Sequence, residues 1–209
     1  MVLSNPPHLF YNVLKSGMRR EAAETETDEA LFGRYLGGDK SGMAGLVDRY
    51  GDSLTLYIGA IIGDAQDAED LMIEAFSRIC ARGPQLSEGG FRPYLYKTAR
   101  NLAFRFAAKN RLRRNFGFDD LQAEPESEEF IERTVQTKER DRVLHLCMEK
   151  LAPDYREALY LTYFEDMSRA EAAAVLGKRE KQVENLVYRG KKALRALLES
   201  EGITDAHDF

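Results

Sequence analysis

Apolar residues recur at steps of three and four positions through two long stretches of the sequence, 28–114 and 133–200. Leu46, Tyr50 and Leu54 are one example of this spacing, which places their side chains on one face of an α-helix. No stretch of useful length alternates apolar and polar residues as a half-buried β-strand does. The sequence therefore predicts an all-α protein.

Capping residues and glycines predict where the helices of the first stretch begin and end. A glycine pair at 37–38 is expected to end the first helix, and Asp64 to cap the start of the third. Glycines and a proline at 83–84 and 89–90 bracket a loop, so the fourth helix is expected to begin near Pro93. The predicted buried face of the third helix is Ala68, Leu71, Met72, Ala75, Phe76 and Ile79.

An acidic stretch, 115–132, separates the two helical blocks. It carries seven acidic residues and no basic ones, has few aliphatic side chains and contains a proline, a composition typical of a linker. A chain of 209 residues is long enough for two small domains. We therefore predict an N-terminal extension (1–27), a first helical domain (28–114), the linker (115–132), a second helical domain (133–200) and a C-terminal tail (201–209).

The formal net charge of −5 at pH 7 conceals two basic segments. Residues 92–114 carry eight basic side chains and no acidic one, and residues 178–192 carry six basic and two acidic side chains. Cations clustered in this way indicate a polyanionic ligand.

In the first basic segment the cations alternate with Tyr94, Tyr96, Phe104 and Phe106. Cations neutralise phosphates and aromatic rings stack on unpaired bases, so this mixture is typical of a surface that binds partly melted DNA. The alternative is a solvated helix face whose aromatic rings belong to the core. Under the first interpretation, the residues that contact DNA are Tyr94, Lys97, Arg100, Asn101, Arg105, Lys109 and Arg111.

The second basic segment has the layout of a helix-turn-helix. Ser168 and Glu171 have the spacing of a capping box, Gly177 permits a tight turn, and a basic helix follows. Early residues of such a helix read base edges in the major groove, and later residues contact phosphates. The residues predicted for these two roles are Arg179, Lys181, Gln182, Asn185, Arg189 and Lys192. Glu184 lies on the same face, where it either opposes phosphates or accepts from a cytosine amino group. Ordinary helix packing is the alternative for the whole segment.

Four sequence blocks resemble bacterial extracytoplasmic-function (ECF) sigma factors, group IV of the sigma-70 family. Residues 67–76 (DAEDLMIEAF) and 91–101 (FRPYLYKTARN) resemble the N-terminal domain of that family. Residues 151–159 (LAPDYREAL) and 164–177 (FEDMSRAEAAAVLG) resemble its C-terminal domain. The resemblance covers about 28–198 and implies a sigma2-type helical bundle, a sigma4-type helix-turn-helix domain and the function of an alternative sigma factor.

The resemblance also implies roles for individual segments. Asp70, Ile73 and Glu74 would dock on the clamp helices of the RNA polymerase β′ subunit, and the loop at 82–91 would hold a flipped base. The helix that contains Asn101 would bind the minus-ten element and help to keep it melted, and the helix from Arg179 would read the minus-thirty-five element as duplex. The linker would thread towards the channels of the polymerase. The implied partners are core RNA polymerase (β′ clamp helices and β flap), promoter DNA and an anti-sigma factor.

The sequence departs from the family pattern at four places. Ile73 replaces a usual Gln, and Tyr94 replaces a usual Trp. The run Gln-Val-Glu-Asn-Leu at 182–186 stands where the family has Thr-Val-Lys-Ser-Arg, which removes two cations from the recognition helix. Ala172 is smaller than the aliphatic residue common there, which predicts altered local packing. The change at 182–186 leaves open how strongly this domain binds DNA and which sequence it prefers.

Nothing in the sequence indicates an enzyme, a cofactor or a metal site. His8, His145 and His207 lie far apart, and the pair His145 and Cys147 is expected to pack in the core. Cys80 and Cys147 form no disulfide framework. No apolar run approaches the roughly 20 residues that span a bilayer, and the N-terminus lacks a signal-peptide layout. We therefore expect a cytoplasmic protein that does not insert into membranes.

Two other functions remain open from the sequence. A one-component helix-turn-helix regulator would bind an intact, palindromic duplex without polymerase. A sigma-like adaptor would sequester an anti-sigma factor without initiating transcription.

Overall fold

The computed structural model describes residues 26–115 and 139–202. These two ranges belong to two compact units. The regular structure of both described ranges is helical, which confirms the all-α prediction. None of their helices has the length and apolar character needed to cross a membrane. Most of the predicted N-terminal extension, linker and C-terminal tail lies outside the described residues.

The N-terminal unit consists of four helices in its described part: α1 (Asp28–Leu36), α2 (Lys40–Ile62), α3 (Ala65–Arg82) and α4 (Phe91–Asn115). The long helix α2 packs against each of the other three, and α3 also packs against α4. Their shared core is aromatic and aliphatic. Its most deeply buried side chains are Tyr57, Tyr96, Phe91, Leu46, Leu54, Ile58, Ile79 and Leu95.

The helix boundaries in this unit follow local capping chemistry. Asp64 caps α3 as predicted, because its Oδ1 atom accepts a 2.7 Å hydrogen bond from the Asp67 amide. Helix α4 begins at Phe91, two residues before the predicted start near Pro93. The Phe91 amide donates to the carboxylate of Glu29 on α1, a partner distant in sequence that no local pattern reveals. Met72, predicted to be buried, is only half-buried, since it lines a surface groove described below.

The C-terminal unit contains α5 (Glu139–Glu149), α6 (Pro153–Leu159), a π-helical turn (Tyr160–Phe164), α7 (Arg169–Leu176) and α8 (Glu180–Ser200). Helix α8 packs against α5, α6 and α7. One buried cluster joins α5, α6 and α8: Leu144, Cys147, Met148, Leu151, Leu159, Leu194 and Leu198. His145 and Cys147 belong to this packing, since His145 lies against the Phe164 ring (centroids 6.1 Å apart) and Cys147 is fully buried.

The turn between α7 and α8 has the geometry predicted from the sequence. Ser168 Oγ accepts from the Glu171 amide at 3.2 Å, and the Glu171 carboxylate accepts from the Ser168 amide at 2.8 Å, which completes the capping box. Gly177 then ends α7 with a φ of 64°, a left-handed conformation that glycine adopts without a steric cost. The short turn to Arg179 directs α8 across α7 as the second helix of a helix-turn-helix.

Candidate nucleic-acid interface

Helix α4 has one buried face and one basic face. At about 100° per residue, Phe91, Leu95, Ala99 and Leu102 lie on one side of the helix, and all four are buried. Of the seven residues predicted to contact melted DNA, five lie on the opposite half of the circumference (Tyr94, Lys97, Arg100, Asn101 and Arg111), whereas Arg105 and Lys109 lie further along α4 on the side of Phe91. Five of the seven are exposed (Lys97, Asn101, Arg105, Lys109 and Arg111), and two are half-buried (Tyr94 and Arg100).

The aromatic residues of α4 divide between core and surface. Tyr96 is fully buried, with its ring 5.3 Å from that of Tyr57 and its hydroxyl 3.0 Å from Ser53 Oγ. Phe104 is exposed, and the Arg100 guanidinium lies 4.6 Å from its ring centroid. Tyr96 therefore belongs to the core. Phe104 lies on the basic face, although it was not among the residues predicted to contact DNA.

Tyr94 lies where α4 meets the end of α3. Its hydroxyl is 3.5 Å from Nη1 of Arg82, in the last turn of α3. The loop between these helices (83–90) ends in a tight turn, in which the Gly90 amide donates to the Ser87 carbonyl at 2.8 Å. Gln85, Ser87 and Glu88 are exposed on this loop. An exposed polar loop therefore lies beside the first turn of the basic face.

The three residues predicted to contact polymerase lie on the outer face of α3. Asp70 is exposed, and Ile73 has 54% of its surface exposed, which is high for an aliphatic side chain. Glu74 pairs with Arg78 one turn later, with 2.7 Å between the carboxylate and Nη2. Of the two acids, only Asp70 therefore presents a carboxylate that no described ion pair occupies.

Ile73 also forms part of an apolar groove between α1, α2 and α3. The groove has a volume of about 530 Å³. Its other lining residues are Tyr35, Met43, Val47, Met72, Phe76, Ser77, Cys80 and Ala81. Sequence reasoning missed this groove because three helices contribute to it. The one available signal was an isoleucine at an otherwise polar position of α3.

Helix α8 carries the second set of predicted DNA contacts. Residues 181, 185, 188 and 192 form an exposed stripe along the helix. The side chain of Lys181 is 76% exposed, and Tyr188 has 72% of its surface exposed. Gln182, Asn185 and Arg189 line a shallow groove of about 190 Å³ together with Lys178 and Leu186. The structure thus brings the predicted base-reading and phosphate-binding residues together on one surface.

Tyr188 is a residue of this stripe that the sequence analysis missed. It follows Asn185 by one helical turn and points away from the core. A phenol ring and hydroxyl can pack on a thymine methyl group or donate to a phosphate. The available signal was a lone aromatic residue at the spacing of the polar face.

Gln182 has a structural partner at the start of α8. Its Oε1 atom accepts a 2.8 Å hydrogen bond from the Arg179 amide, which satisfies one of the free donors at the helix N-terminus. The side-chain amide of Gln182 consequently keeps its two N–H donors for an external acceptor. If the Gln182 amide bound adenine through both its oxygen and its nitrogen, Oε1 would have to accept from the base and from the Arg179 amide at the same time.

Ion pairs modify the charge of the recognition surface. Lys181 Nζ lies 2.9 Å from a carboxylate oxygen of Glu184, and Arg169 Nη1 lies 3.9 Å from the other oxygen. The hydrogen bond from Lys181 is the main reason that the pKa of Glu184 is lowered. Lys178 pairs with Asp154 at 3.3 Å, so part of the positive charge near the groove is already compensated.

The described residues contain no group of three or more His, Cys, Asp or Glu side chains arranged to hold a metal ion. Burial raises the pKa of the Cys147 thiol, as expected of a cysteine in an apolar core.

Family comparisons match both parts of the chain. Residues 46–113 match the family model described as Sigma-70 region 2, and residues 141–194 match that described as Sigma-70, region 4. The first match contains the basic face of α4, and the second contains the helix-turn-helix. Two different domains of one family therefore occur in the same chain and in the order that the sequence blocks predicted.

Curated relatives extend the similarity over most of the chain. The RNA polymerase sigma factor NccH of Alcaligenes xylosoxydans xylosoxydans is 31% identical over 185 residues, which cover 86% of this chain and 99% of the relative. The ECF RNA polymerase sigma factor BldN of Streptomyces coelicolor is 29% identical over 184 residues, which cover 86% of this chain and 70% of the relative.

Solved structures share the fold. CnrH, solved in complex with the cytosolic domain of CnrY, superposes with a TM-score of 0.61 at 24% identity and covers 84% of this chain and 99% of its own. The sigma factor RpoE of Bartonella quintana, solved with the anti-sigma factor NepR, has a TM-score of 0.57 at 18% identity and covers 75% and 96%. Together with the family and sequence matches, these findings show that the chain belongs to the extracytoplasmic-function group of the sigma-70 family of RNA polymerase sigma factors.

Proposed function

We propose that this chain is an alternative sigma factor in which α3 binds core RNA polymerase, α4 binds the minus-ten element and α8 binds the minus-thirty-five element. The observation that carries this assignment is the presence of two separate basic helix faces, one within each family match. The protein would supply recognition and help to melt the DNA, while polymerase carries out the chemistry. Its place of action would be the cytoplasm.

The basic face of α4 suits one strand of melted DNA. Lys97, Arg105, Lys109 and Arg111 are exposed cations that can follow a phosphate backbone. The exposed amide of Asn101 lies among them and can both donate to and accept from a base edge. The Phe104 ring, next to the Arg100 guanidinium, offers a surface for base stacking.

The loop before α4 is suited to hold an extruded base. Flipping a base out of a duplex costs a few kcal/mol, which a preformed pocket offsets through hydrogen bonds to the base edge. The exposed polar side chains of Gln85, Ser87 and Glu88 can supply such bonds, and Tyr94 lies at the edge of the same region. In this role the loop would stabilise the first unpaired position of the minus-ten element.

The outer face of α3 and its groove suit a helical partner on polymerase. Asp70 offers a charge, while Ile73 and the apolar groove beside it offer a surface whose burial favours association. We place the β′ clamp helices there. The replacement of a usual Gln by Ile73 fits this environment, because the side chain lines an apolar groove.

Helix α8 would enter the major groove of the minus-thirty-five duplex. Lys181, Gln182, Asn185 and Tyr188 lie towards its N-terminal half, where a recognition helix meets base edges. Arg189 and Lys192 follow and suit phosphates. We place the β flap against this unit and the linker (115–132) in the polymerase channels; most of the linker lies outside the described residues.

An anti-sigma factor is a further proposed partner. The two solved relatives were both determined with another protein bound, the cytosolic domain of CnrY in one case and the anti-sigma factor NepR in the other. The apolar groove beside Ile73 is a surface that such a protein could cover, which would compete with polymerase for the same residues.

Run-off transcription tests the proposal. Purified full-length protein is mixed with core polymerase and a library of genomic promoter fragments, with core polymerase alone as the control. We expect new transcripts that start at discrete positions, together with a stable complex between protein and core on gel filtration. Absence of both would refute the proposal. Tight binding to a palindromic duplex without polymerase would support the one-component regulator, and anti-sigma binding without transcripts would support the adaptor.

A further inference from the structure

Glu184 is an acidic residue within the DNA-facing surface of the helix-turn-helix. It lies on the second turn of α8, between Lys181 and Tyr188, which are both highly exposed. A carboxylate at this position faces the same phosphates and base edges as the cations around it. Its effect on binding therefore depends on what its two oxygens contact in the free protein.

The two oxygens of Glu184 contact cations from both helices of the motif. Oε2 pairs with Lys181 Nζ at 2.9 Å on α8, and Oε1 lies 3.9 Å from Nη1 of Arg169, the first residue of α7. The side chains are 76% exposed for Lys181, 64% for Arg169 and 40% for Glu184, so the group lies at the surface. One carboxylate thus compensates charge on two side chains that would otherwise be available to DNA.

We propose that Glu184 is an affinity-limiting residue, which holds Lys181 and Arg169 in an internal ion-pair network and so weakens duplex binding by the recognition helix. The inference rests on the proposed function, because it concerns how strongly that same surface binds DNA. The run at 182–186 lacks two cations that the family has there. In addition, its Glu184 neutralises Lys181, a cation that this chain retains. Because α8 alone then binds duplex weakly, binding to the minus-thirty-five element depends more on the complex with polymerase.

The expected size of the effect follows from counterion release. Each phosphate neutralised by a lysine contributes a slope of about −0.9 to the plot of log affinity against log salt. Release of Lys181 for one phosphate contact should therefore raise affinity about eightfold at ~0.1 M monovalent salt. An exposed ion pair contributes only about 0–1 kcal/mol to folding, so Glu184→Gln should remain folded.

The experiment measures binding of the full-length protein to a fluorescent pool of duplexes with a randomised central segment, over a series of KCl concentrations. The variants are Glu184→Gln, Lys181→Ala and their combination. Glu199→Gln is the control, since it removes the same charge from an exposed site on α8 about 22 Å further along the axis. At ~0.1 M salt this distance exceeds the Debye length of about 10 Å.

We expect Glu184→Gln to tighten binding about eightfold and to steepen the salt slope by about 1, and Glu199→Gln to change neither. Lys181→Ala alone should weaken binding by well under eightfold, because Lys181 is already paired with Glu184, and it should remove most of the gain in the Glu184→Gln background. Unchanged affinity of Glu184→Gln would overturn the inference, as would a full eightfold loss on Lys181→Ala alone.

Sequencing of the bound duplexes distinguishes a second overturning result. If Glu184 accepts from a cytosine amino group, Glu184→Gln will weaken binding and lose a cytosine preference at one position. Run-off transcription with the wild-type protein is performed in parallel. Failure of the wild type to direct transcription would refute the proposed function, whereas wild-type transcription with no affinity gain in Glu184→Gln would refute only this inference.

Discussion

The Oε1 atom of Glu29 lies 3.0 Å from the backbone nitrogen of Phe91 and accepts its hydrogen bond. This contact joins the first turn of α1 to the first residue of α4, across 62 positions of sequence. The Phe32 ring packs on Phe91 beside it, with centroids 5.4 Å apart. A carboxylate at a helix N-terminus also interacts favourably with the helix dipole. Helix α1 therefore fixes the start of the helix that carries the proposed minus-ten contacts.

Glu29→Ala should loosen the first turn of α4, because it removes both the acceptor and the charge. We expect a loss of about 1–2 kcal/mol in unfolding free energy and faster amide hydrogen exchange in residues 91–95. Glu29→Gln keeps an acceptor oxygen and should retain most of the protection. Equal exchange in the wild type and the Ala variant would show that the contact does not hold α4.

The sequence predicted those features of the molecule that depend on local chemistry. Helical spacing predicted the buried face of α3, since side chains three and four residues apart share a face, and all of its predicted residues except Met72 are buried. The Asp64 cap and the Ser168–Glu171 capping box followed in the same way, because each is made within one turn.

Features built from residues distant in sequence were not predictable. The bond from Phe91 to Glu29 shifts the start of α4, and the apolar groove needs residues of three helices. Likewise, the pattern assigned Gln182 to DNA but did not indicate that the same side chain caps α8. The aromatic residues of α4 show the limit most clearly: spacing placed Tyr96 and Phe104 in one mixed cluster, and only tertiary packing separates the buried ring from the exposed one.

Ile73→Glu should weaken binding to core polymerase by tenfold or more. Burial of an isoleucine side chain is worth roughly 1.5–3 kcal/mol, and 1.4 kcal/mol corresponds to a factor of ten in affinity. Leu36→Glu is a matched control, because Leu36 is a similarly exposed aliphatic residue of the same unit (52% against 54%) that does not line the groove. The measurement is a fluorescence titration of labelled protein with core polymerase. Equal losses in both variants would argue against the groove as the docking surface.

Asn101→Ala should depress promoter melting and leave core binding intact. The side chain is exposed on the basic face of α4, so its removal leaves no cavity in the core. Loss of one specific base contact is worth about 1–3 kcal/mol. Fluorescence of 2-aminopurine in the minus-ten region reports melting, and gel filtration reports core binding. Loss of both activities would mean that Asn101 has a structural role or a different partner.

Two substitutions of Gln182 should separate its role in capping α8 from its proposed role in DNA binding. Gln182→Glu keeps the oxygen that accepts from the Arg179 amide, and its charge suits a helix N-terminus, so unfolding free energy should change by less than about 0.5 kcal/mol. The same change removes the N–H donors and adds repulsion from phosphates, so duplex binding should weaken. Gln182→Ala should lower both, with about 1 kcal/mol of stability lost. Undiminished duplex binding by Gln182→Glu would exclude this side chain from the interface.

Replacement by alanine should change the free energy of unfolding in opposite directions at Gly42 and Gly33. A Cβ atom on Gly42, where α2 crosses α1, would lie 2.1 Å from the Leu31 carbonyl oxygen. Gly42→Ala must therefore push the two helices apart, and we expect a loss of about 1–3 kcal/mol. A Cβ atom on Gly33 would meet nothing within 4 Å, so Gly33→Ala should raise stability by about 0.5–1 kcal/mol through helix propensity. Thermal unfolding followed by circular dichroism measures both variants. A stable Gly42→Ala protein would show that α1 can move away from α2 at little cost, and with it the carboxylate of Glu29 that holds the start of α4.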